Sequence, residues 1–171
     1  MARNSEIKAR LSDPHSAHAV ARRLSGGEPT LIPQRDVFFH VREGRLKLRF
    51  LQVGGELIRY HRPDVAGVRT SEYSIVRTPD PDALFEILKS ALDVAGEVRK
   101  VRSLYLAGQT RIHIDRVDGL GDFLELEVVL RPEQTDAEGA AIADNLLAQF
   151  RIGCDALIGE AYMDLLNGSN R

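Results

Sequence analysis

Gly119-Leu-Gly-Asp-Phe-Leu-Glu-Leu-Glu-Val-Val-Leu130 is the most informative segment of this 171-residue chain. A glycine-rich turn leads into a run of strand-forming residues, and successive side chains on a strand point to opposite faces. Glu125 and Glu127 therefore share one face, while leucine and valine side chains occupy the other. Adjacent carboxylates repel each other, so this face is best tolerated where a hard divalent cation such as Mg²⁺ neutralises them.

The composition is that of a globular protein, with 43% hydrophobic and 28% charged residues. The length predicts a single domain over residues 1–171, with a helical tail at about 154–171 packed on it. A net charge of −2 gives no basic field for a nucleic acid partner. The polar N-terminus and the lack of an apolar run near the ~18 residues of a membrane span predict a cytoplasmic protein without a membrane partner. Cys154 is the single cysteine, so it excludes an intrachain disulfide and is predicted to be a packed thiol.

Charged and apolar side chains alternate in several other segments as well. In Arg45 to Phe50, for example, Arg45, Lys47 and Arg49 share one face. The segments 3–11, 57–62, 98–105 and 110–117 place further charged residues in the same way: Glu6, Lys8, Arg10, Arg62, Lys100, Arg102, Arg111 and Asp115. A single charged face is commonly the water-exposed side of an antiparallel sheet. About eight candidate strands with this pattern instead predict a closed barrel whose charged faces line an interior.

Three segments show the apolar periodicity of helices, namely 15–24, 82–92 and 136–150. The tail from Ala156 to Leu166 is a candidate for a fourth short helix. The predicted fold is therefore α+β, a closed antiparallel barrel with helices packed outside.

The enclosed charges indicate the kind of ligand. Clustered Lys and Arg side chains in a low-dielectric interior need a counter-charge from water, acidic neighbours or a polyanion. Arginine forks suit phosphate oxygens, and lysines add point charges. The acidic residues of the same faces could hold Mg²⁺ or Mn²⁺, which would bridge phosphate oxygens: Glu6, Asp115, Glu125 and Glu127. This combination predicts a triphosphate site.

Four stretches together resemble the CYTH family, the triphosphate tunnel metalloenzymes. They are Glu6-Ile-Lys8, Lys47-Leu-Arg49, Lys100-Val-Arg-Ser-Leu-Tyr105 and Asp115-Arg-Val-Asp-Gly-Leu-Gly-Asp-Phe-Leu-Glu-Leu-Glu127. The family includes class IV adenylyl cyclases, thiamine triphosphatases and inorganic triphosphatases, and the segment 100–127 looks closest to the class IV cyclase branch. The resemblance implies an eight-stranded antiparallel barrel around a tunnel, and it is compatible with a homodimer.

The chain departs from the family pattern at two positions. The opening motif Glu-x-Glu-x-Lys reads Asn4-Ser-Glu6-Ile-Lys8, so an amide replaces the first carboxylate. Ser71 stands where the family often has Glu, and Glu72 is one step out of phase and would need a bulge to face inward.

The resemblance also implies residue roles. Glu6, Glu125 and Glu127 would hold one or two divalent ions, with Asp115 as a ligand or a support, and Lys8, Arg62 and Asp115 would be catalytic. The phosphate chain would be gripped by Lys8, Arg10, Lys47, Arg49, Arg62, Lys100, Arg102 and Arg111. The implied reaction is conversion of ATP to cyclic AMP and pyrophosphate. Hydrolysis of thiamine triphosphate or tripolyphosphate is the alternative, and a non-catalytic polyphosphate- or nucleotide-binding module is another.

Three further residues have candidate roles. His113 shares the strand face of Arg111 and Asp115 and could contact substrate, although a structural histidine is the plainer interpretation. Tyr162 is a candidate cover for one mouth of the tunnel, with simple packing as the alternative. Asp36 matches a common family position and is expected to orient a base of the tunnel.

Overall fold

A computed structural model describes residues 2–169 as a closed barrel with helices around it. The eight strands are β1 (Ala2–Arg10), β2 (Thr30–Phe39), β3 (Arg45–Phe50), β4 (Gly55–His61), β5 (Arg69–Thr78), β6 (Val94–Ala107), β7 (Thr110–Val117) and β8 (Gly121–Val129). They follow the order β1-β5-β4-β3-β2-β6-β7-β8, all neighbours are antiparallel, and β8 pairs with β1 to close the ring. The predicted α+β barrel is confirmed.

The glycine-rich turn joins β7 to β8 as predicted. Gly119 and Gly121 have φ angles of 77° and 97°, a left-handed conformation that residues with a side chain rarely adopt. The backbone N–H of Leu120 donates to the carbonyl of Val117 at 3.1 Å and tightens the turn. This turn sets the pairing of β7 with β8, and therefore which side chains of the two strands face each other.

The first three helices lie close to their predicted positions: α1 (Pro14–Ser25), α2 (Pro81–Ala91) and α3 (Asp136–Phe150). Asp13 and Asp80 cap α1 and α2, and each is followed by a proline at the first helical position. None of the helices among residues 2–169 is long and apolar enough to cross a membrane.

The helices cover the apolar outside of the barrel. Buried side chains of α1 pack with outward-facing Ile7, Ile112 and Leu126, and α3 contributes partly buried apolar residues to the same cluster. The helix α2 covers a second cluster around Leu48. Because the apolar faces are used in this way, the charged faces of the strands point into the barrel.

The tail differs from its prediction. Helix does not run from Ala156 to Leu166: a single 3₁₀ turn over Cys154–Ala156 is followed by extended chain and then by α4 (Tyr162–Ser169). Gly159 lies against the backbone at Val65, where a Cβ would come within 2.7 Å, so a residue with a side chain would not fit there without a shift. Cys154 is exposed, so the predicted packed thiol is wrong. Residues 170 and 171 of the predicted tail lie outside the described residues.

Candidate active site

The barrel encloses a cavity of about 380 Å³. Seven of the predicted phosphate-binding residues line it, namely Lys8, Lys47, Arg49, Arg62, Lys100, Arg102 and Arg111. Three of the predicted metal-binding residues, Glu6, Glu125 and Glu127, line the same cavity. The structure thus brings together groups from six strands or their ends around one enclosed volume.

Arg10 does not line this cavity, although its position on β1 has the same parity as Lys8. It is exposed at the end of the strand, and its guanidinium carbon lies 5.2 Å from the centre of the Phe123 ring. The phosphate-gripping role predicted for Arg10 is therefore not supported, because the strand carries it past the charged part of the interior.

One end of the cavity is closed by aromatic residues and the tail. Phe123 is fully buried, and its ring centre lies 4.9 Å from that of Tyr162. The Tyr162 ring lies beneath Lys8 and Lys100, whose Nζ atoms are 4.0 and 4.9 Å from its centre. We call this end the floor. Tyr162 therefore covers one end of the barrel, as the sequence indicated.

The extended part of the tail is held to the floor by backbone carbonyls. The carbonyl of Gly159 accepts from Arg62 at 2.9 Å, and that of Glu160 accepts from Lys8 Nζ at 3.2 Å. A helix across residues 157–161 would have directed these carbonyls along its own axis. Because residues 157–161 are not helical, these carbonyls are available to accept hydrogen bonds from Lys8 and Arg62.

The opposite end of the cavity carries aliphatic side chains beside an ion pair, in which Arg77 Nε lies 3.7 Å from Glu56 Oε1. Along β6 the inward residues run from Lys100, next to Tyr162, through Arg102 to Leu104. Leu104 and three other aliphatic side chains form what we call the apolar rim: Ile32, Leu51, Ile75 and Leu104. Ile75 is 44% exposed, which places this rim at the open mouth. The floor of the cavity is therefore cationic, whereas the mouth combines the apolar rim with one ion pair.

Asp115 lies inside the barrel, beneath side chains that line the cavity. It has no exposed surface, its carboxylate accepts from Lys100 at 2.8 Å and from Arg102 at 2.7 Å twice, and the Tyr162 hydroxyl donates to it at 3.2 Å. Although burial opposes it, Arg102 and Lys100 hold the pKa of Asp115 below its usual range. Asp115 is not part of the compact group of possible metal ligands described below, and the metal-ligand role predicted for it stays a prediction. Its geometry is that of a residue that orients Lys100 and Arg102.

Asp36 orients two cations, Lys47 and Arg49, on the other side of the cavity. Its carboxylate accepts from Lys47 at 2.8 Å and from two nitrogens of Arg49 at 2.8 and 2.9 Å. Against the effect of burial, Arg49 and Lys47 hold the pKa of Asp36 well below its usual range. Burial lowers the pKa of Lys47 to about 8, and the attraction of Asp36 offsets this only in part. The expectation that Asp36 orients a base of the tunnel agrees with these contacts.

Glu6 lies between two arginines. Its Oε1 is 3.3 Å from Arg62 Nε and 3.0 Å from Arg69 Nε. Burial raises the pKa of Glu6 against the attraction of Arg62, and Glu125 and Glu127 add to the rise. Arg69 was not among the predicted site residues, and only its pairing with Glu6 identifies it.

Glu125, Glu127 and His113 form a compact group on the wall. Glu125 lies 3.0 Å from Lys8 and 2.6 Å from Arg102, and Glu127 lies 2.9 Å from Arg111. A carboxylate oxygen of each glutamate and a ring nitrogen of His113 all lie within 4.8 Å of one another. Two carboxylate oxygens suit a hard divalent cation. The donor set of this group therefore fits a divalent metal ion, and Glu6 is not part of the group.

The two departures from the family pattern meet in the structure. Asn4 and Ser71 are paired across β1 and β5, both are buried, and both line the cavity. The Asn4 Oδ1 atom has no hydrogen-bond partner among the described residues. Glu72 is exposed, and the pairing of β1 with β5 runs without a bulge, so Glu72 does not replace the missing carboxylate.

Other residues that line the cavity were not predicted from the sequence. Gln34 and Phe38 flank Asp36 on the inward face of β2, and this alternation was a signal that could have identified the strand. The apolar rim had no such signal, because isolated isoleucine and leucine residues do not show which end of a strand is open.

Comparison with known proteins places the chain in a defined group. The family model of the CYTH domain matches residues 2–153. A protein of Methanocaldococcus jannaschii named "putative adenylate cyclase" is 25% identical over 168 residues, covering 94% of this chain and 96% of that protein. A Pyrococcus horikoshii structure superposes with a TM-score of 0.81 at 20% identity, over 95% of this chain and 98% of that one. A Hippeastrum protein, described as a putative adenylyl cyclase with a dominant triphosphatase activity, has a TM-score of 0.69 at 18% identity, over 99% of this chain and 96% of that one.

Proposed function

The chain belongs to the CYTH family of triphosphate tunnel enzymes, and from this premise we propose that it converts ATP to cyclic AMP and pyrophosphate. The observation that carries the proposal is the apolar rim at the mouth of the cavity, at the end away from the cationic floor. An inorganic polyphosphate has no use for apolar contacts, whereas a nucleotide has an aromatic base at one end and phosphates at the other. We therefore place the base at the rim and the terminal phosphate at the floor.

The floor supplies the charge that a polyphosphate needs. Lys8, Lys100 and Arg62 are each at most 8% exposed, so their attraction for phosphate oxygens is little screened by water. Their aspartate and backbone partners keep them in place before substrate arrives, which lowers the cost of reorganisation. In the proposed reaction these cations stabilise the negative charge that develops on the departing pyrophosphate.

The acidic group lies between the floor and the rim. Along β8 the inward residues run from Phe123 at the floor through Glu125 to Glu127. Glu125 and Glu127 would hold the divalent ion, Mg²⁺ or Mn²⁺, which when bound withdraws charge from phosphate oxygens. For a nucleotide oriented as above, this level is that of the α-phosphate, where the 3′-hydroxyl must attack for cyclisation.

The aspartates near the floor do not favour attack of water on the terminal phosphorus. Asp36 and Asp115 are both nearly inaccessible, at 2% and 0% exposure, and their oxygens accept hydrogen bonds from cations. Neither is therefore free to take a proton from a water molecule. Holding the 3′-hydroxyl in line with the α-phosphorus is then the main task of the site, because positioning dominates phosphoryl transfer.

Hydrolysis of an organic or inorganic triphosphate is the rival reaction, and Glu6 is the observation that favours it. Its pKa is raised by burial, which makes its carboxylate a better proton acceptor than an ordinary glutamate. Binding without turnover is the third possibility, and the amide at Asn4, which brings no charge to the cavity, favours it.

One product assay separates the three possibilities, namely cyclisation, hydrolysis and binding without turnover. The protein is incubated with ATP, thiamine triphosphate or tripolyphosphate, each with Mg²⁺ and with Mn²⁺, and cyclic AMP, pyrophosphate and orthophosphate are measured. We expect cyclic AMP and pyrophosphate in equal amounts from ATP. Orthophosphate as the main product would overturn the cyclase proposal in favour of hydrolysis. A stabilising thermal shift with tripolyphosphate but no product from any substrate would indicate a binding module.

A matched pair of variants tests the role of the apolar rim. Leu104→Ser removes apolar surface at the mouth, whereas Val101→Ser changes a 45% exposed residue of the same strand that does not line the cavity. We expect Leu104→Ser to weaken ATP binding and to leave tripolyphosphate binding unchanged, and Val101→Ser to affect neither. An equal loss of affinity for ATP and for tripolyphosphate in Leu104→Ser would contradict the placement of the base.

A further inference from the structure

His113 is a buried histidine with a free ring nitrogen. The residue is 3% exposed and lines the cavity, and its Nδ1 has no hydrogen-bond partner among residues 2–169. Most buried polar atoms in folded proteins have a partner, so an unpaired one in a binding cavity points to a missing ligand. By contrast, Lys100, Arg102 and Asp115 around it are all hydrogen-bonded within the protein.

The position of Nδ1 shows what the missing partner would be. It lies 3.8 Å from Glu125 Oε2 and 3.8 Å from Glu127 Oε1. These spacings are too long for hydrogen bonds. Metal–ligand bonds of about 2.0–2.2 Å place neighbouring ligand atoms roughly 3–4 Å apart, which matches the observed separations. One ion between the three atoms would contact all of them after side-chain rotations that also move Arg102, which lies 2.6 Å from Glu125 Oε2.

The pairing of the strands accounts for this arrangement. His113 is directly opposite Glu125 across β7 and β8, and Glu127 follows two residues later on the same face. The group therefore rests on the backbone of a hairpin, and it does not depend on a flexible loop.

We propose that His113 supplies a nitrogen ligand to the divalent ion of the carboxylate pair, so that the site selects first-row transition-metal ions over Mg²⁺. The inference rests on the metal dependence in the proposed function and adds the identity of the metal class. Mg²⁺ prefers oxygen ligands and keeps several waters, whereas Mn²⁺ and Co²⁺ accept imidazole nitrogen. A mixed nitrogen and oxygen site therefore raises affinity for Co²⁺ more than for Mn²⁺, and for both more than for Mg²⁺.

The decisive measurement is pulsed electron paramagnetic resonance of Mn²⁺ bound to the 171-residue chain. We expect nitrogen modulation of the electron spin echo, and we expect it to change when histidine is labelled with ¹⁵N. Bound Mn²⁺ without histidine-derived modulation would overturn the proposal. Failure of Mn²⁺ to bind would overturn it as well. Neither outcome depends on turnover, so a protein that binds Mn²⁺ through His113 but makes no cyclic AMP would refute only the proposed reaction.

Calorimetric titrations give the selectivity. We expect His113→Gln to weaken Co²⁺ binding about tenfold or more and Mg²⁺ binding less than about threefold, because only the former ion gains from nitrogen. The matched control is His18→Gln, since His18 lies on α1 outside the barrel, with its Nδ1 2.8 Å from the Tyr105 hydroxyl. An equal loss of affinity for Co²⁺ and for Mg²⁺ in His113→Gln would overturn the proposal and leave His113 a packing role only. If His113→Gln fails to fold, the pulsed electron paramagnetic resonance of the ¹⁵N-histidine-labelled unaltered protein still tests the proposal.

Discussion

Replacing Asp36 by asparagine tests whether the cavity is a preorganised cationic site. The substitution keeps the shape of the side chain and removes its charge. Lys47 and Arg49, which lie 2.8 Å from the carboxylate, would then share the interior without a counter-charge. We expect a large loss of stability without ligand and a large recovery when a polyanion supplies the missing negative charge.

The magnitude follows from the burial of all three groups. The side chains of Asp36, Lys47 and Arg49 are 3%, 14% and 12% exposed. Removing one partner of such a buried ion pair costs about 3–5 kcal/mol. In a domain of this size each kcal/mol lowers Tm by roughly 2–4 °C, so Asp36→Asn should lower Tm by roughly 6–20 °C. A ligand at a thousand times its Kd restores about 4 kcal/mol by mass action.

The assay is thermal unfolding followed by circular dichroism, with and without saturating tripolyphosphate and without metal. The control is Asp122→Asn, which removes the partner of Arg116 at the surface, where the Arg116 side chain is 72% exposed. We expect the control to leave Tm nearly unchanged and to respond to tripolyphosphate as the unaltered protein does. An unchanged Tm in Asp36→Asn would refute the preorganised cationic site. A smaller tripolyphosphate-induced rise in Tm in the variant than in the unaltered protein would refute it as well.

Three further outcomes are expected. The double change Glu125→Gln and Glu127→Gln should abolish metal-stimulated turnover and keep the thermal shift with tripolyphosphate, and surviving metal-stimulated product would remove the metal role of these residues. In calorimetry, Lys8→Met should raise the Kd of tripolyphosphate about tenfold or more by deleting a buried charged contact. Arg10→Ala, outside the cavity, should change the Kd of tripolyphosphate less than about twofold. A similar rise in this Kd in both variants would contradict the placement of Arg10. Because the pKa of Lys47 is about 8, its charge is present below that pH and lost above it. Affinity for metal-free tripolyphosphate should therefore fall between pH 7 and pH 9 relative to Lys47→Arg, and parallel profiles would contradict this.

The alternation along the strands was enough to predict the barrel and most of its lining. The residues Lys47 and Arg49 of β3, and Lys100 and Arg102 of β6, were assigned to the interior from parity alone. Parity works because each strand has only two faces, and the apolar face must be covered by helices. The starts of α1 and α2, at Pro14 and Pro81, lie one residue before those predicted from apolar periodicity, because an aspartate followed by a proline favours the first turn of a helix.

Parity did not show how deep a residue lies or which partner it meets. Arg10 has the parity of Lys8 and yet lies outside the cavity, while Asp115 has the parity of His113 and yet is covered by Lys100 and Arg102. Depth depends on the stagger of the strands and on where the barrel ends, and both are set by pairing between segments far apart in the chain.

The alternating faces of the chain, read locally, determined that cations and carboxylates would share an interior. The meeting of His113 with Glu125 and Glu127, the closing of the floor by Tyr162 and the apolar rim were decided only by the folded barrel. The physical reason is that the direction of a side chain is a property of its own strand. Its distance from a group on another strand depends on how all eight strands close into a ring.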